Sequence, residues 1–256
     1  MKMCLFYLRV KPFGYFRGMK AMLFAAGLGT RLKPFTDKHP KALAEVNGKT
    51  LLEHNIRYLQ KYGITDVVVN VHHFADQIEK AIANNNGWGS NITVSDERGE
   101  VLETGGGLQK AATHFIGEDV FIVMNVDVLT NLDLAKMIAA HNIGSSIATL
   151  AVMQRESSRH LLFNKDMRLC GWQNNKTGEQ KIVHNELELK GFAFSGVHVL
   201  SPEILDMPFE GKFSIIDIYL HFAKTDILQG YDHTGDIFLD VGKPESLKKA
   251  EELFSK

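Results

Sequence analysis

Short apolar segments alternate with helix-period segments through the first two thirds of the chain, and this alternation constrains the fold most. The segments "AMLFAA", "DVVVNV" and "DVFIVMNV" have the length and composition of strands, while "LLEHNIRYLQKYG" and "LDLAKMIAAHN" repeat apolar residues at helical spacing. Such an alternation is typical of βαβ units with a parallel sheet. The run Val120–Val126 is apolar on both faces, as expected of a central strand covered by helices on each side.

The pattern changes after Ser145, where longer and more polar strand-like pieces such as "IATLAVMQ" and "ELKGFAFSGVHVL" follow one another. We interpret them as antiparallel additions to the same sheet. Two further helices are predicted near "SIIDIYLHFAK" and "PESLKKAEELF", the second with Pro244 in its first turn. The sequence therefore predicts an α/β fold: a three-layer α/β/α Rossmann-like sandwich with a mixed, mostly parallel central sheet.

Length and linker content favour one domain over residues 19–256. The chain has 256 residues, 45% of them hydrophobic, and we find no linker, repeat or low-complexity tract. Residues 1–18 precede a second start-like "MKAMLF" at Met19, so we expect a poorly ordered extension or a mis-assigned start.

Charge and cysteine content exclude several classes of partner. The 29 Lys and Arg residues nearly cancel the 30 Asp and Glu residues, so we expect neither nucleic acid nor a membrane surface as partner. Cys4 and Cys170 lie far apart without metal-ligand spacing, which favours a reducing compartment and a cytoplasmic location. The sequence gives no indication of oligomeric state.

The loop "AAGLGTRLKPFT" after the first apolar strand combines glycines with cations. A dinucleotide fingerprint starting at Gly27 fails because its third glycine is Leu32, and a Walker loop ending in "NGKT" fails because its first glycine is Leu43. Glycine amides followed by Arg31 and Lys41 still suit an anion such as a triphosphate. An exposed basic loop without function is the alternative for this loop taken alone.

The stretch "LFAAGLGTRLKPFTDKHPKALAEVNGKTLLEH" resembles the signature of the sugar-1-phosphate nucleotidyltransferases. That signature is an apolar strand, A-A-G-x-G-x-R, P-x-T, P-K-x-L and a later G-x-x-L. Every fixed position is matched, namely by Ala25, Ala26, Gly27, Gly29, Arg31, Pro34, Thr36, Pro40, Lys41, Leu43, Gly48 and Leu51. The resemblance implies that Arg31 and Lys41 are catalytic, Arg31 on the departing pyrophosphate and Lys41 on phosphates near the reacting centre.

Two aspartates end apolar strand-like runs, Asp127 in "VFIVMNVD" and Asp240 in "DIFLD". In a parallel-rich sheet both would project into the crevice at the carboxyl edge, where two carboxylates suit Mg²⁺. The resemblance likewise implies that both aspartates bind the metal, although Val126, Phe238 and Lys243 replace family residues beside them. Lys243 either meets a phosphate or is solvated.

The turn "ETGGG" is similar to a segment of N-acetylmuramate-1-phosphate uridylyltransferases and heptose-1-phosphate guanylyltransferases. We expect it to open a helix at "LQKAATHF", whose free N–H groups would suit an anion or a base edge. The resemblance implies a nucleotide site formed by Ala25, Ala26, Gly27, Gly29, Thr30, Glu103, Thr104, Gly105 and Asn125. It implies a sugar site that includes Gly106, Ser195 and Gly196. The family's Glu-Lys-Pro lysine is absent; Lys176 or Lys190 is the candidate substitute, and an exposed lysine without this role is the alternative for each.

The resemblance therefore predicts transfer of a nucleoside monophosphate from UTP, GTP or CTP to a sugar 1-phosphate, with UTP and N-acetylmuramate 1-phosphate or a related hexose 1-phosphate preferred. Two alternatives stay open. "PKALAEVNGKTLLEH" also resembles phosphocholine-type cytidylyltransferases, and a non-catalytic nucleotide-sugar sensor can share the fold.

Overall fold

The computed structural model describes residues 18–254. The expectation for residues 1–18 therefore lies outside the described residues, apart from Gly18. Within the described range, no helix is long and apolar enough to cross a membrane.

Except at the "ETGGG" segment, the helices form where the apolar periodicity predicted them, and polar side chains cap several of them. Thr50 and Asp133 accept hydrogen bonds from the first turns of α1 and α4, and Ser214 forms a capping box at α5. Pro244 occupies the first turn of α6, as predicted. The α-helices are α1 (Leu51–Gln60), α2 (Ala75–Asn84), α3 (Glu103–Ala111), α4 (Leu134–Gly144), α5 (Ile215–Phe222) and α6 (Pro244–Leu253).

A ten-stranded mixed sheet forms the centre of the fold. Its parallel part has the order β6 (Phe121–Asn125), β1 (Lys20–Phe24), β4 (Asp66–Val71) and β5 (Asn91–Asp96). The long strand β12 (Lys190–Leu200) runs antiparallel to β6 and begins the added half. The added strands are β8 (Ala148–Met153), β9 (Arg159–Phe163), β10 (Leu169–Asn174), β11 (Gln180–Ile182) and β13 (Leu228–Asp232). Only β13 among them pairs in parallel, with β8, so the antiparallel additions are confirmed.

Alternate residues of the central strands enter two different cores, which makes the fold three-layered. On β1, Leu23 packs with α1, α2 and α4, whereas Met22 and Phe24 pack with α3 and α5 on the opposite face. Helices thus cover both faces of the parallel strands. The predicted α/β/α class is confirmed, with a parallel core and a largely antiparallel second half.

Two local predictions are wrong in ways that affect the site. The glycine triplet Gly105–Gly107 does not precede a helix; it lies inside α3, which begins at Glu103. Asp240 does not lie at the edge of the central sheet. It ends β14 (Phe238–Asp240), which pairs only with β7 (Val128–Thr130) in a separate antiparallel ribbon. A second small ribbon joins β2 (Glu45–Val46) to β3 (Lys49–Thr50).

Candidate active site

A cavity of about 260 Å³ opens where β1 and β6 end, at the carboxyl edge of the parallel strands. Crevices at this edge are the usual ligand sites of open α/β sheets. Most predicted site residues meet here, but Ala26, Glu103, Gly105, Gly106, Ser195, Gly196, Lys176 and Asp240 are not in its wall. The wall consists of Phe24, Ala25, Gly27, Gly29, Thr30, Arg31, Lys41, Thr104, Asn125, Val126, Asp127 and Gly242.

The two glycines of the first loop differ in what requires them. Gly29 has φ +63°, and a Cβ there would lie 2.8 Å from Cγ2 of Thr36 and 3.1 Å from Cβ of Lys41. The folded loop itself therefore requires glycine at position 29. A Cβ at Gly27 would meet no atom within 4 Å, and φ is not positive there. Gly27 thus leaves open space on the cavity wall that a ligand can use.

Asn70 holds the start of this loop, and the sequence interpretation missed it. Its Oδ1 accepts hydrogen bonds from the amides of Ala25 (2.7 Å) and Ala26 (3.3 Å), while its Nδ2 donates to Oε1 of Glu97 (2.8 Å). Asn70 is 2% exposed and Glu97 1% exposed. The signal was available, because Asn70 is a polar residue inside the apolar strand "DVVVNV".

Burial raises the pKa of Glu97, although the hydrogen bond from Asn70 and the charge of Lys110 act in the opposite direction. With both amides held by Asn70, the nitrogens of Ala25 and Ala26 are not available to a nucleotide. Later parts of the loop, from Gly27 onward, face the cavity instead.

The predicted cations and carboxylates form one cluster. Lys41, only 8% exposed, donates from Nζ to Oδ2 of Asp127, and the same Nζ lies 4.0 Å from Oδ1 of Asp240. Nη2 of Arg31 lies 3.5 Å from the other oxygen of Asp240. Gly242 packs against this cluster, since a Cβ there would lie 2.6 Å from Oδ1 of Asp240 and 2.8 Å from Nη2 of Arg31.

The cluster also has the donor chemistry of a divalent-cation site. Asp127 lies in the turn directly before β7, and Asp240 ends β14, the partner strand of β7. Both direct carboxylate oxygens at one position, where the Lys41 ammonium supplies the positive charge. Over residues 18–254, no group of three or more His, Cys, Asp or Glu side chains could hold a metal ion. Two carboxylates completed by water and phosphate oxygens are the arrangement that Mg²⁺ favours.

The glycines of "ETGGG" are explained by close packing. A Cβ at Gly106 would lie 2.1 Å from the carbonyl oxygen of Gly211, and one at Gly105 would lie 2.4 Å from the ring of Phe213. The amides of Gly105 and Gly106 donate to the carbonyl oxygen of Phe213, at 3.0 and 3.3 Å. The expected free helix N–H groups at these positions are therefore already engaged. Thr104 alone of this segment lines the cavity.

Comparison with known proteins agrees with this geometry. The family model for nucleotidyl transferases matches residues 20–162, which contain the glycine loop, Lys41, α3 and Asp127. The chain belongs to the nucleotidyl transferase family.

Two relatives of this nucleotidyl transferase are named for a sugar 1-phosphate substrate. N-acetylmuramate alpha-1-phosphate uridylyltransferase of Neisseria meningitidis is 31% identical over 92% of this chain and 98% of its own length. D-glycero-alpha-D-manno-heptose 1-phosphate guanylyltransferase of Aneurinibacillus thermoaerophilus is 29% identical, over 91% of this chain and 97% of its own length. The predicted family is therefore confirmed, and the chain is a sugar-1-phosphate nucleotidyltransferase.

A solved structure shares the fold of this nucleotidyl transferase over nearly its whole length. The crystal structure of HddC from Yersinia pseudotuberculosis complexed with GMP-PN superposes with a TM-score of 0.74 at 27% identity, covering 92% of this chain and 99% of that chain.

Three further predicted residues of this nucleotidyl transferase, Ser195, Gly196 and Lys176, are not in the cavity wall. Ser195 is 1% exposed and its hydroxyl is hydrogen-bonded to Nε2 of His233 at 2.8 Å. Gly196 has φ +67° and packs against Asn125, to whose Nδ2 a Cβ would come within 2.5 Å. Lys176 is exposed in the turn between β10 and β11, and Lys243 is exposed at the start of α6.

Proposed function

We propose that this nucleotidyl transferase moves uridylyl from UTP to N-acetylmuramate 1-phosphate or a related hexose 1-phosphate and releases pyrophosphate. The observation that carries the proposal is the single cluster of Arg31, Lys41, Asp127 and Asp240 beside a glycine loop with open space. The choice of UTP and of the sugar rests on two N-acetylmuramate alpha-1-phosphate uridylyltransferases that are each 31% identical to this chain. Relatives that use other nucleotides are similar at 27–29% identity.

The reaction is an exchange of one O–P bond for another. A phosphate oxygen of the acceptor attacks the α-phosphorus of the nucleotide, and the bond from that phosphorus to the bridging oxygen of pyrophosphate breaks. The electron pair leaves with pyrophosphate, so no covalent enzyme intermediate is needed. Such transfers depend mainly on positioning and on compensation of negative charge.

The cationic residues have complementary positions for this task. Arg31 is exposed beside the cavity, where its forked guanidinium can bind two oxygens of the departing pyrophosphate. Lys41 is held more deeply, between the two carboxylates, and supplies a point charge near the α-phosphate. A divalent cation such as Mg²⁺ on Asp127 and Asp240 would supply further charge compensation to the phosphate oxygens when bound.

The walls of the cavity suit the rest of the two substrates. We assign the nucleotide to the loop from Ala25 to Thr30 and to the edge formed by Thr104 and Asn125. All of these residues except Ala26 and Leu28 line the cavity. We also assign Glu103 and Gly105, the chain neighbours of Thr104, to the nucleotide. We assign the sugar to Gly106, Ser195 and Gly196, with main-chain groups as contacts because the Ser195 hydroxyl is engaged.

The test is pyrophosphate release with Mg²⁺, measured for each of the four NTPs against N-acetylmuramate 1-phosphate, glucose 1-phosphate, a heptose 1-phosphate and phosphocholine. We expect the highest kcat/KM with UTP and N-acetylmuramate 1-phosphate. Highest turnover with CTP and phosphocholine would establish the cytidylyltransferase alternative. Nucleotide-sugar binding without turnover for any pair would establish the sensor alternative.

A further inference from the structure

Arg155 places a guanidinium beside the cluster of the active site, although neither the family pattern nor the cavity wall includes it. It follows β8, and its Cζ lies 4.6 Å from the ring centroid of Phe238. Phe238 and Asp240 alternate with Leu239 on β14, so their side chains share one face of that strand. Arg155 is therefore held on the same face of β14 as the proposed metal ligand.

A second contact ties Arg155 to the sugar side. Its Nη2 donates to the carbonyl oxygen of Phe194 at 3.0 Å. Phe194 directly precedes Ser195 and Gly196, and Gly196 packs against Asn125 in the cavity wall. The guanidinium is thus anchored between the strand that carries Asp240 and the strand segment assigned to the sugar.

The guanidinium has donors to spare. Among residues 18–254, the buried Nε has no hydrogen-bond partner, and Nη1 reaches only the carbonyl oxygen of Glu156, at 3.4 Å. None of the ion pairs formed by residues 18–254 includes Arg155. A half-buried guanidinium stays protonated and is costly to leave without an anion.

The electrostatics agree with this position. Burial lowers the pKa of Arg155, and the negative charge of Asp240 opposes that shift. The positive charge of Arg155 in turn adds to the burial that lowers the pKa of His233, the partner of Ser195. Both effects place Arg155 within electrostatic range of the metal side and of the sugar side.

We propose that Arg155 binds an anionic group of the acceptor, either its phosphate or a carboxylate on its sugar. This inference rests on the proposed function and identifies the residue that takes the place of the absent family lysine. Lys176 is exposed in the turn between β10 and the edge strand β11, whereas Arg155 is half-buried beside the active-site cluster. The planar fork of an arginine suits both phosphate and carboxylate oxygens.

The first test compares Arg155→Met, which keeps an apolar stem on Phe238, with Arg155→Lys and with the control Arg159→Met. Arg159 is exposed on β9, four residues along the chain. We expect Arg155→Met to raise KM for the acceptor by about 10- to 100-fold, since one or two charge-assisted hydrogen bonds are lost. We expect KM for UTP and the thermal unfolding midpoint to stay unchanged, Arg155→Lys to lie between, and Arg159→Met to match wild type.

Two acceptors distinguish the two anionic groups. An equal rise in KM for glucose 1-phosphate and N-acetylmuramate 1-phosphate identifies the phosphate, and a rise for N-acetylmuramate 1-phosphate alone identifies its carboxylate. An unchanged acceptor KM, or an equal rise for UTP and acceptor, would overturn the proposal.

A calorimetric titration of the folded protein with N-acetylmuramate 1-phosphate separates this inference from the proposed function. If wild type binds the sugar phosphate without turnover while Arg155→Met does not bind it, the proposed function fails and the role of Arg155 stands. If Arg155→Met binds it as wild type does, the role of Arg155 fails whatever the turnover.

Discussion

Replacing Asn70 with alanine should loosen the nucleotide loop and destabilise the whole protein. The change removes the acceptor of two main-chain amides, the buried one of Ala25 and the half-buried one of Ala26. A buried amide without a partner costs about 1–3 kcal/mol. Counting the 2.7 Å bond to Ala25 fully and the 3.3 Å bond to Ala26 in part, we expect a loss of about 2–4 kcal/mol in the free energy of unfolding.

Urea unfolding followed by circular dichroism measures this loss, and the KM for UTP measures the effect on the loop. We expect a lower urea midpoint at constant m-value and a KM for UTP raised by at least about tenfold, because the amides that Asn70 holds begin the nucleotide loop. A loss of less than about 0.5 kcal/mol would refute the reasoning, since that is the effect of an ordinary surface substitution.

An exchange of partners provides the matched control. Asn70→Asp alone keeps the acceptor but sets a second carboxylate beside Glu97, so we expect it to be strongly destabilising at neutral pH. The double variant with Glu97→Gln restores the hydrogen bond with donor and acceptor exchanged and leaves the net charge of the pair unchanged. It should recover most of the stability, and a double variant no more stable than Asn70→Asp would show that the bond between these side chains is unimportant.

Four other substitutions test three glycines and a buried histidine. Gly27→Ala should change the free energy of unfolding by less than about 0.5 kcal/mol yet raise KM for UTP at least about tenfold. Gly29→Ala should lower the free energy of unfolding, measured in urea, by about 1–3 kcal/mol. Equal stability of the two variants would contradict these expectations. Gly106→Ala should lower the thermal unfolding midpoint because its Cβ would collide with a carbonyl oxygen at 2.1 Å, and an unchanged midpoint would show that the packing is loose. Burial lowers the pKa of His141 to about 4, so between pH 6.5 and 4 the unfolded chain binds more protons than the folded protein. The free energy of unfolding should therefore decrease by up to about 1.4 kcal/mol for each unit by which the pH is lowered in this range. His141→Gln should flatten this slope in urea unfolding, and an unaltered slope would contradict the prediction.

The fold was predictable because its signals are local. Apolar periodicity on strands such as Val67–Val71 and helices such as α1 reflects burial on a sheet face or a helix stripe, which a single segment displays. The position of Asp127 was predictable for the same reason, since it lies two residues after the end of the buried strand β6. Asp240 was predicted at the right site but in the wrong sheet. The three residues of β14 do not encode its pairing with β7, which depends on tertiary contacts.

Contacts between distant segments explain what the sequence did not show. The amides of Gly105 and Gly106 donate to the carbonyl oxygen of Phe213, more than 100 positions along the chain. Close contacts with Phe213, Gly211 and Glu97 leave little room for a Cβ at the three glycines of the triplet. Arg155 reached the site only through Phe238 and Phe194. Such positions carry no local pattern, so only the folded chain reveals them.

The most direct test of the active-site account is pyrophosphate release by Asp240→Asn, measured with UTP, Mg²⁺ and N-acetylmuramate 1-phosphate. Asp119→Asn is the control, because Asp119 is exposed just before β6, at the end of the strand opposite the cavity. We predict a fall in kcat of about 10²- to 10³-fold for Asp240→Asn with unchanged circular dichroism, and wild-type turnover for Asp119→Asn. Near-wild-type turnover of Asp240→Asn would contradict the account.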